Sequence, residues 1–246
     1  MRQWVNYING NYTVSLNIAD GTKIRTCTSN IFKPATIENV ELKITNYCTG
    51  TEGKFGTNKG GCPFCCEKSS PFGKHGNILD VPFLNKLHPY CELTLSGGNP
   101  FAHPDLLCFL EKCRQRYHIP NITVNQVYFE KYFEKIKKLT AEKLIFKVAV
   151  SLVKVTDEFI EKIKQLPNAS VVIINGIATE EDIQGLCGKG LKISVLGYRE
   201  FKRGKDFYVN NLEKIKCNQL NLKNKLLSFV DKTEFEKIYF DHLAVE

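Results

Sequence analysis

Apolar and polar residues alternate through WVNYINGNYTVSLNIADGTKIRTC, residues 4–27, the period-two pattern of strands with one buried face. Asn9-Gly10 and Asp20-Gly21 interrupt it with residue pairs that tight hairpin turns favour. The pattern predicts a small antiparallel β-meander over residues 3–27, within an N-terminal unit of residues 1–36. From residue 41 the texture changes. Six short apolar runs come next: VELKIT (40–45), CELTLS (91–96), NITVNQ (121–126), KLIFKVAVSL (143–152), SVVIIN (170–175) and LKISVL (191–196). Between them lie HPDLLCFLEKCRQRY, YFEKYFEKIKKL, TDEFIEKIKQL and TEEDIQGLC, each with hydrophobic residues at helical spacing. Thr156 before Asp157-Glu158 and Thr179 before Glu180-Glu181 are N-terminal helix signals.

This strand–helix order, repeated about six times, predicts an α/β fold over residues 37–204. Its parallel sheet is wound open or curled into a full or partial barrel. Such folds gather their chemistry at the C-terminal ends of the strands. Residues 205–246 read as a largely helical extension, in which NNLEKIKCNQLNLKNKLLSF is a helix with a break at Asn218 or Asn221.

Composition narrows the class. Hydrophobic residues make up 43% of the 246 and charged residues 24%, as in ordinary globular domains. No apolar run approaches the ~18 residues needed to cross a bilayer, and the first residues do not read as a secretory signal. The expectation is a cytoplasmic protein with no membrane partner. The net charge of +8 suits an anionic partner. The lysines, however, sit among glutamates, as in EKYFEKIKKLTAEK, which is the pattern of a solvated helical face.

Ten cysteines call for an explanation, because a reducing compartment disfavours disulfides and clustered thiols there bind metal or react. Cys91, Cys108, Cys113 and Cys217 stand alone or in helical patterns and read as core residues. Cys48 differs. It lies just past the first parallel strand, and TGTEGKFGTNKGG separates it from Cys62-Pro63-Phe64-Cys65-Cys66, giving C-x13-C-x2-C. Three thiolates on one loop can hold three corners of a cubic iron–sulfur cluster and leave the fourth iron for a small molecule. A structural zinc site takes four ligands, usually as two close pairs, and no second pair is apparent. A thioredoxin-like redox pair fits poorly, since Cys66 follows at once and the pair opens no clear helix. Phe55 after Gly53-Lys54 rules out a phosphate-binding loop. The second landmark is LTLSGGNP, residues 93–100, where a strand ends in two glycines that let backbone approach a ligand closely.

Together, the cysteine loop after the first strand and Ser96-Gly97-Gly98-Asn99-Pro100 after the second resemble the radical S-adenosylmethionine (SAM) superfamily, over roughly residues 40–200. The resemblance implies a partial (β/α)6 TIM-like barrel and an enzyme. It would cleave SAM reductively to a 5′-deoxyadenosyl radical that abstracts hydrogen from a substrate. It implies Cys48, Cys62 and Cys65 as ligands of a [4Fe–4S] cluster and Phe64 as the aromatic side chain near the adenine. Gly97 and Gly98 become backbone contacts to the methionine amino group, beside Asn99 where the family commonly has glutamate. Ser151, Asn125 and Asn175 match polar residues at strand ends that contact SAM, and Leu196-Gly197-Tyr198-Arg199 resembles the turn lining the adenine pocket. The spacer departs from the usual C-x3-C-x2-C, and a glycine-rich excursion of this length adds little closure entropy. A one-electron reductant such as a flavodoxin or ferredoxin is implied as partner. A small molecule, a peptide and a nucleic acid all remain open as substrate. The reading from a different class is a zinc-binding module for nucleic acid or protein, without catalysis.

Overall fold

Seven parallel strands in strictly sequential order form the body of the protein in the computed structural model, which describes residues 4–19, 22–50, 61–231 and 233–244. They are β4 (Asn39–Thr45), β5 (Glu92–Gly97), β6 (Ile119–Asn125), β7 (Lys147–Ser151), β8 (Ala169–Ile174), β9 (Lys192–Leu196) and β10 (Lys237–Phe240). Ahead of them β1 (Trp4–Asn9), β2 (Tyr12–Asn17) and β3 (Lys23–Cys27) make the expected antiparallel meander. Gly10 has a φ of 65° in the first hairpin turn, while the Asp20-Gly21 turn lies outside the described residues.

The helices are α1 (Leu106–Gln115), α2 (Gln126–Lys131), α3 (Phe133–Ala141), α4 (Asp157–Lys164), α5 (Glu180–Leu186), α6 (Arg203–Asn210) and α7 (Leu212–Asp231). Thr156 and Thr179 cap α4 and α5 as expected, and the Asp182 carboxylate accepts the Thr179 amide in return. Three differences from the sequence reading have local causes. YFEKYFEKIKKL is split at Tyr132 into α2 and α3. The tail helix runs unbroken through Asn218 and Asn221, because Asn218 turns its amide onto the Gly176 carbonyl and leaves the helical backbone alone. The tail also supplies a seventh parallel strand, β10, so the sheet exceeds the six units expected and residues 205–246 are not wholly helical.

The strands divide their side chains by size. Leu93, Leu95, Val150, Val171, Ile193 and Val195 are fully buried beneath the helices, against Phe109, Phe129, Phe159, Ile136 and Leu186. The alternate positions Thr94, Thr123, Ala149, Ser170 and Ser194 face inward and line a cavity touched by all seven strands. Laid flat, seven strands would span about 29 Å. A single cavity of 560 Å³ lined by all of them requires the sheet to curl around it. Curling stops short of closure, because β4 and β10 are the two ends of the sheet. No described helix is long and apolar enough to cross a membrane.

The meander is fastened to the N-terminal end of this barrel by Glu38. Its carboxylate accepts bonds from Tyr12 Oη (2.5 Å), Asn9 Nδ2 (3.0 Å) and Arg25 Nη2 (2.8 Å), while Lys23 reaches Glu92 at 2.6 Å. Burial alone would raise the Glu38 pKa, but the bonds from Arg25, Tyr12 and Asn9 win and hold it at about 2, against an ordinary 4.5. A depressed carboxylate pKa contributes stability that is complete above pH 4.5 and is lost as pH falls toward 2. The Glu38→Gln variant is expected to lose on the order of 2 kcal/mol at pH 7 in denaturant titrations. Its stability should also depend less on pH between 4.5 and 2 than the parent's.

Candidate functional site

Two backbone segments meet at the C-terminal end of β4 and β5. Gly98 donates its amide to Thr45 O (2.8 Å) and Asn99 donates to Tyr47 O (2.7 Å). A Cβ on Gly97 would lie 2.1 Å from Thr45 O, and one on Gly98 would lie 2.1 Å from Tyr47 O. Gly97 also has a φ of 117°, which disfavours other residues. The pair of glycines is therefore required by packing before any ligand is considered. With these amides committed, the carbonyls are what this turn can offer a ligand. Asn99 is buried, and its Oδ1 accepts from the Phe101 amide, so it caps a short helical turn.

The far end of the cysteine loop is knitted to the same place. Ser70 donates to Asn46 O (3.0 Å), Cys48 to Ser70 O (2.9 Å) and Gly76 to Ile44 O (2.9 Å). Arg203 on α6 holds Ser69 O at 2.7 Å and packs where a Cβ on Gly61 would stand. Residues 51–60 lie outside the described residues, but both ends of the excursion are pinned. Within it, Cys65 donates its amide to Cys62 O (3.2 Å), which turns both cysteines to one side.

Cys48, Cys62 and Cys65 consequently line one cavity of 220 Å³, together with Ser96, Gly97 and Gly98, and the neighbouring Cys66 lines it as well. Asn125 and Ser151, at the ends of β6 and β7, line it too. No three Cys, His, Asp or Glu side chains among the described residues gather tightly enough to hold a single metal ion. The thiols share a cavity rather than a point. A cubic cluster sets its irons at separate corners and asks for that looser arrangement, so the thiol donors of this cavity fit such a group.

The other expected residues fall on or near this edge. Phe64 lines the cavity and rests edge-on against Phe207 of α6, with centroids 5.8 Å apart. Leu196, Gly197 and Tyr198 line an adjoining cavity of 320 Å³ that also touches Phe64. Asp241 accepts the Gly197 amide at 2.8 Å, and Tyr198 Oη donates to Gly204 O at 2.7 Å, fixing the turn. Asn125 caps α2 through the Tyr128 amide. Asn175 stands apart from these cavities. It supports the β9 turn from behind, donating its amide to Leu196 O (2.7 Å) and its side chain to Ala244 O (3.4 Å).

Two residues were not anticipated. Tyr128, in the first turn of α2, places its hydroxyl 2.7 Å from Thr49 Oγ1 and 3.5 Å from Cys48 Sγ. Burial, and after it the Cys48 contact, push its pKa far up, so it stays protonated and can donate to a thiolate. Glu41, an exposed residue of β4, borders both cavities, and no sequence signal separates it from any other exposed strand residue. The Cys66 thiol is pushed up by burial, then by Cys65 and Glu67, and Arg199 counters only in part. None of the ten cysteines is in a disulfide. Cys91 and Cys113 are core residues as expected, with thiols raised by burial to about 11 and about 12, whereas Cys108 and Cys217 are exposed.

No family model matches the sequence, and no curated protein matches it. The fold does have similar solved structures. SuiB of Streptococcus suis bound to the precursor peptide SuiA has a TM-score of 0.60 and 10% identity, covering 99% of this chain and 73% of that one. SuiB bound to S-adenosylmethionine gives 0.59 and 11% over the same shares. At that identity the likeness shows the fold, a parallel barrel-like sheet with a small antiparallel sheet before it.

The close approach at the sheet edge has a measurable consequence. Gly98→Ala is expected to cost about 2 kcal/mol or more in denaturant titration, because backbone crowds the new methyl. Gly190→Ala, where nothing lies within 4 Å, should cost about 1 kcal/mol for its φ of 66° alone. Equal losses would show that the packing at Thr45 and Tyr47 is slack.

Proposed function

We propose that this chain is a radical SAM enzyme whose Cys48, Cys62 and Cys65 hold a [4Fe–4S] cluster. One observation carries the reading. Cys48, Cys62 and Cys65, with Cys66 beside them, line one cavity with the Gly97-Gly98 turn, at the C-terminal end of a curled parallel sheet. When bound, such a cluster supplies the electron that cleaves the sulfonium of SAM, with a flavodoxin- or ferredoxin-like partner as the source.

The chain's own residues bind and orient. The carbonyls at Gly97 and Gly98 would be the groups left to accept from the methionine ammonium, since the Gly98 and Asn99 amides are already used. Asn99 adds no charge there, and its oxygen is engaged in capping, so the backbone does the recognising. Ser151 and Asn125 offer polar contacts at the cavity wall, and Phe64 with Leu196, Gly197 and Tyr198 forms the apolar bed for the adenine. Asn175 is a positioning residue that steadies the β9 turn. Tyr128 places its hydroxyl between Thr49 Oγ1 and Cys48 Sγ, where it could donate to a cysteine ligand. The capture of SuiB with a precursor peptide supports a peptide over the other substrate classes.

Anaerobic reconstitution is expected to load about four irons with matching sulfide per chain. The loaded protein, supplied with a strong reductant, should convert SAM to 5′-deoxyadenosine and methionine. Cys48→Ala, Cys62→Ala and Cys65→Ala should each abolish the conversion, and Cys66→Ala should retain it. Purification with about one zinc and no sulfide would instead support the zinc-binding interaction module.

A further inference from the structure

The positive charge of the chain is unevenly spread. Lys43, residues 66–74 and residues 199–206 together hold seven basic and three acidic residues, an excess equal to half of the chain's +8. These segments meet around the cysteine loop. Glu67 pairs with Lys43 and, at 3.5 Å, with Lys202, while Arg203 holds Ser69 O at 2.7 Å. One carboxylate shared by two lysines leaves a charge over. Lys68, Lys74 and Lys205 are exposed, and none of the three has a carboxylate partner among the described residues. The remaining acids of these segments are Glu200 and Asp206.

Two large apolar side chains stand in the same surroundings. Phe72 is 92% exposed, the most of any large apolar residue among those described, and Phe201 is 65% exposed. Phe72 lies in the turn where Gly73 donates to Ser70 O, the carbonyl that also takes the Cys48 amide. Phe201 directly precedes Lys202, the residue that begins α6 and reaches Glu67. The two rings therefore flank the cysteine loop, one on the segment that follows it and one on the helix that braces it. Neither contributes to the core. Aromatic anchors beside a charged rim are the make-up of a protein interface.

The chemistry of the site identifies the partner. A cluster held by these thiols needs one electron at a time, and electron transfer weakens steeply with distance. Cys48 is buried, whereas Cys62, Cys65 and Cys66 keep partial exposure. The direct way in is through the loop that carries them, and the surface around that loop is basic. A basic surface attracts an acidic protein, steers its approach and sets its orientation.

We propose that the surface around the cysteine loop docks an acidic one-electron carrier protein, with Phe72 and Phe201 as apolar anchors and Lys68, Lys74 and Lys205 as the charged rim. One electron passes from carrier to cluster, and no bond is made or broken. The inference rests on the radical SAM reading and adds to it the face through which the electron enters.

Two measurements on the reconstituted full chain test this. Isothermal titration with an acidic flavodoxin and with an acidic ferredoxin reads docking, and SAM cleavage is driven in parallel by each carrier and by dithionite. At least one carrier is expected to bind saturably, with an affinity that falls as salt is raised. The triple reversal Lys68→Glu, Lys74→Glu, Lys205→Glu and the single Phe72→Ser should each weaken that binding and raise the carrier's KM about tenfold. Dithionite-driven cleavage and iron content should stay at the parent's level. Lys237→Glu, an exposed reversal at the far end of the barrel, should change neither carrier measurement. The proposal is overturned by carrier binding and turnover that the reversal and Phe72→Ser leave intact, by an equal loss with dithionite or in Lys237→Glu, or by failure of both carriers where dithionite succeeds. Failure of dithionite itself in the parent chain would instead strike the radical SAM reading, and this inference would fall with it.

Discussion

At the C-terminal edge of the sheet Gly98 and Asn99 donate their amides to Thr45 and Tyr47, and this approach of backbone to backbone sets the geometry of the whole thiol site. It is possible only where residues 97 and 98 lack side chains. It fixes the chain leaving β4, and therefore Cys48. The same stretch, residues 44–48, accepts and donates along residues 69–76, which returns the far end of the loop to its start. Cys62 and Cys65 come back to Cys48 by backbone pairing, whatever course residues 51–60 take.

The curled sheet separates two kinds of work. Large side chains point outward into the helices and supply burial, while the inward positions Thr94, Thr123, Ala149, Ser170 and Ser194 are small and leave a lumen. The thiols stand at one end of that lumen and the lysines at the other. Part of the chain's positive charge is thus gathered at a mouth rather than spread over solvated helical faces. Glu38 and Lys23 fasten the meander beside that mouth, so the small sheet covers the lysine end and leaves the thiol end alone.

Much of this was legible in the sequence for physical reasons. The meander, the first six parallel strands and the caps at Thr156 and Thr179 follow from periodicity and side-chain chemistry, and each appears. The strand β10 did not announce itself, because KIYF is four residues long and largely exposed, with no burial pattern to read. Asn218 and Asn221 resembled helix breakers, yet inside a packed helix Asn218 finds a distant carbonyl and the backbone continues. The three thiols were visible as a spacing, but their sharing of a cavity depends on pairings between residues far apart in sequence. Tyr128 carries no local signal at all, since a tyrosine in a helix is ordinary in itself. Asn99 read as a ligand contact, and it also caps the short helical turn that follows, a role that only that turn reveals.

The central claim is that these three thiols leave one iron of a cluster open to SAM. Electron paramagnetic resonance of the reduced, reconstituted protein, recorded with and without SAM carrying nitrogen-15 in its amino group, tests it most directly. The expected result is that SAM changes the cluster signal and that the labelled nitrogen couples to it. A cluster signal indifferent to SAM, or no cluster signal from protein that retains Cys48, Cys62 and Cys65, would contradict it.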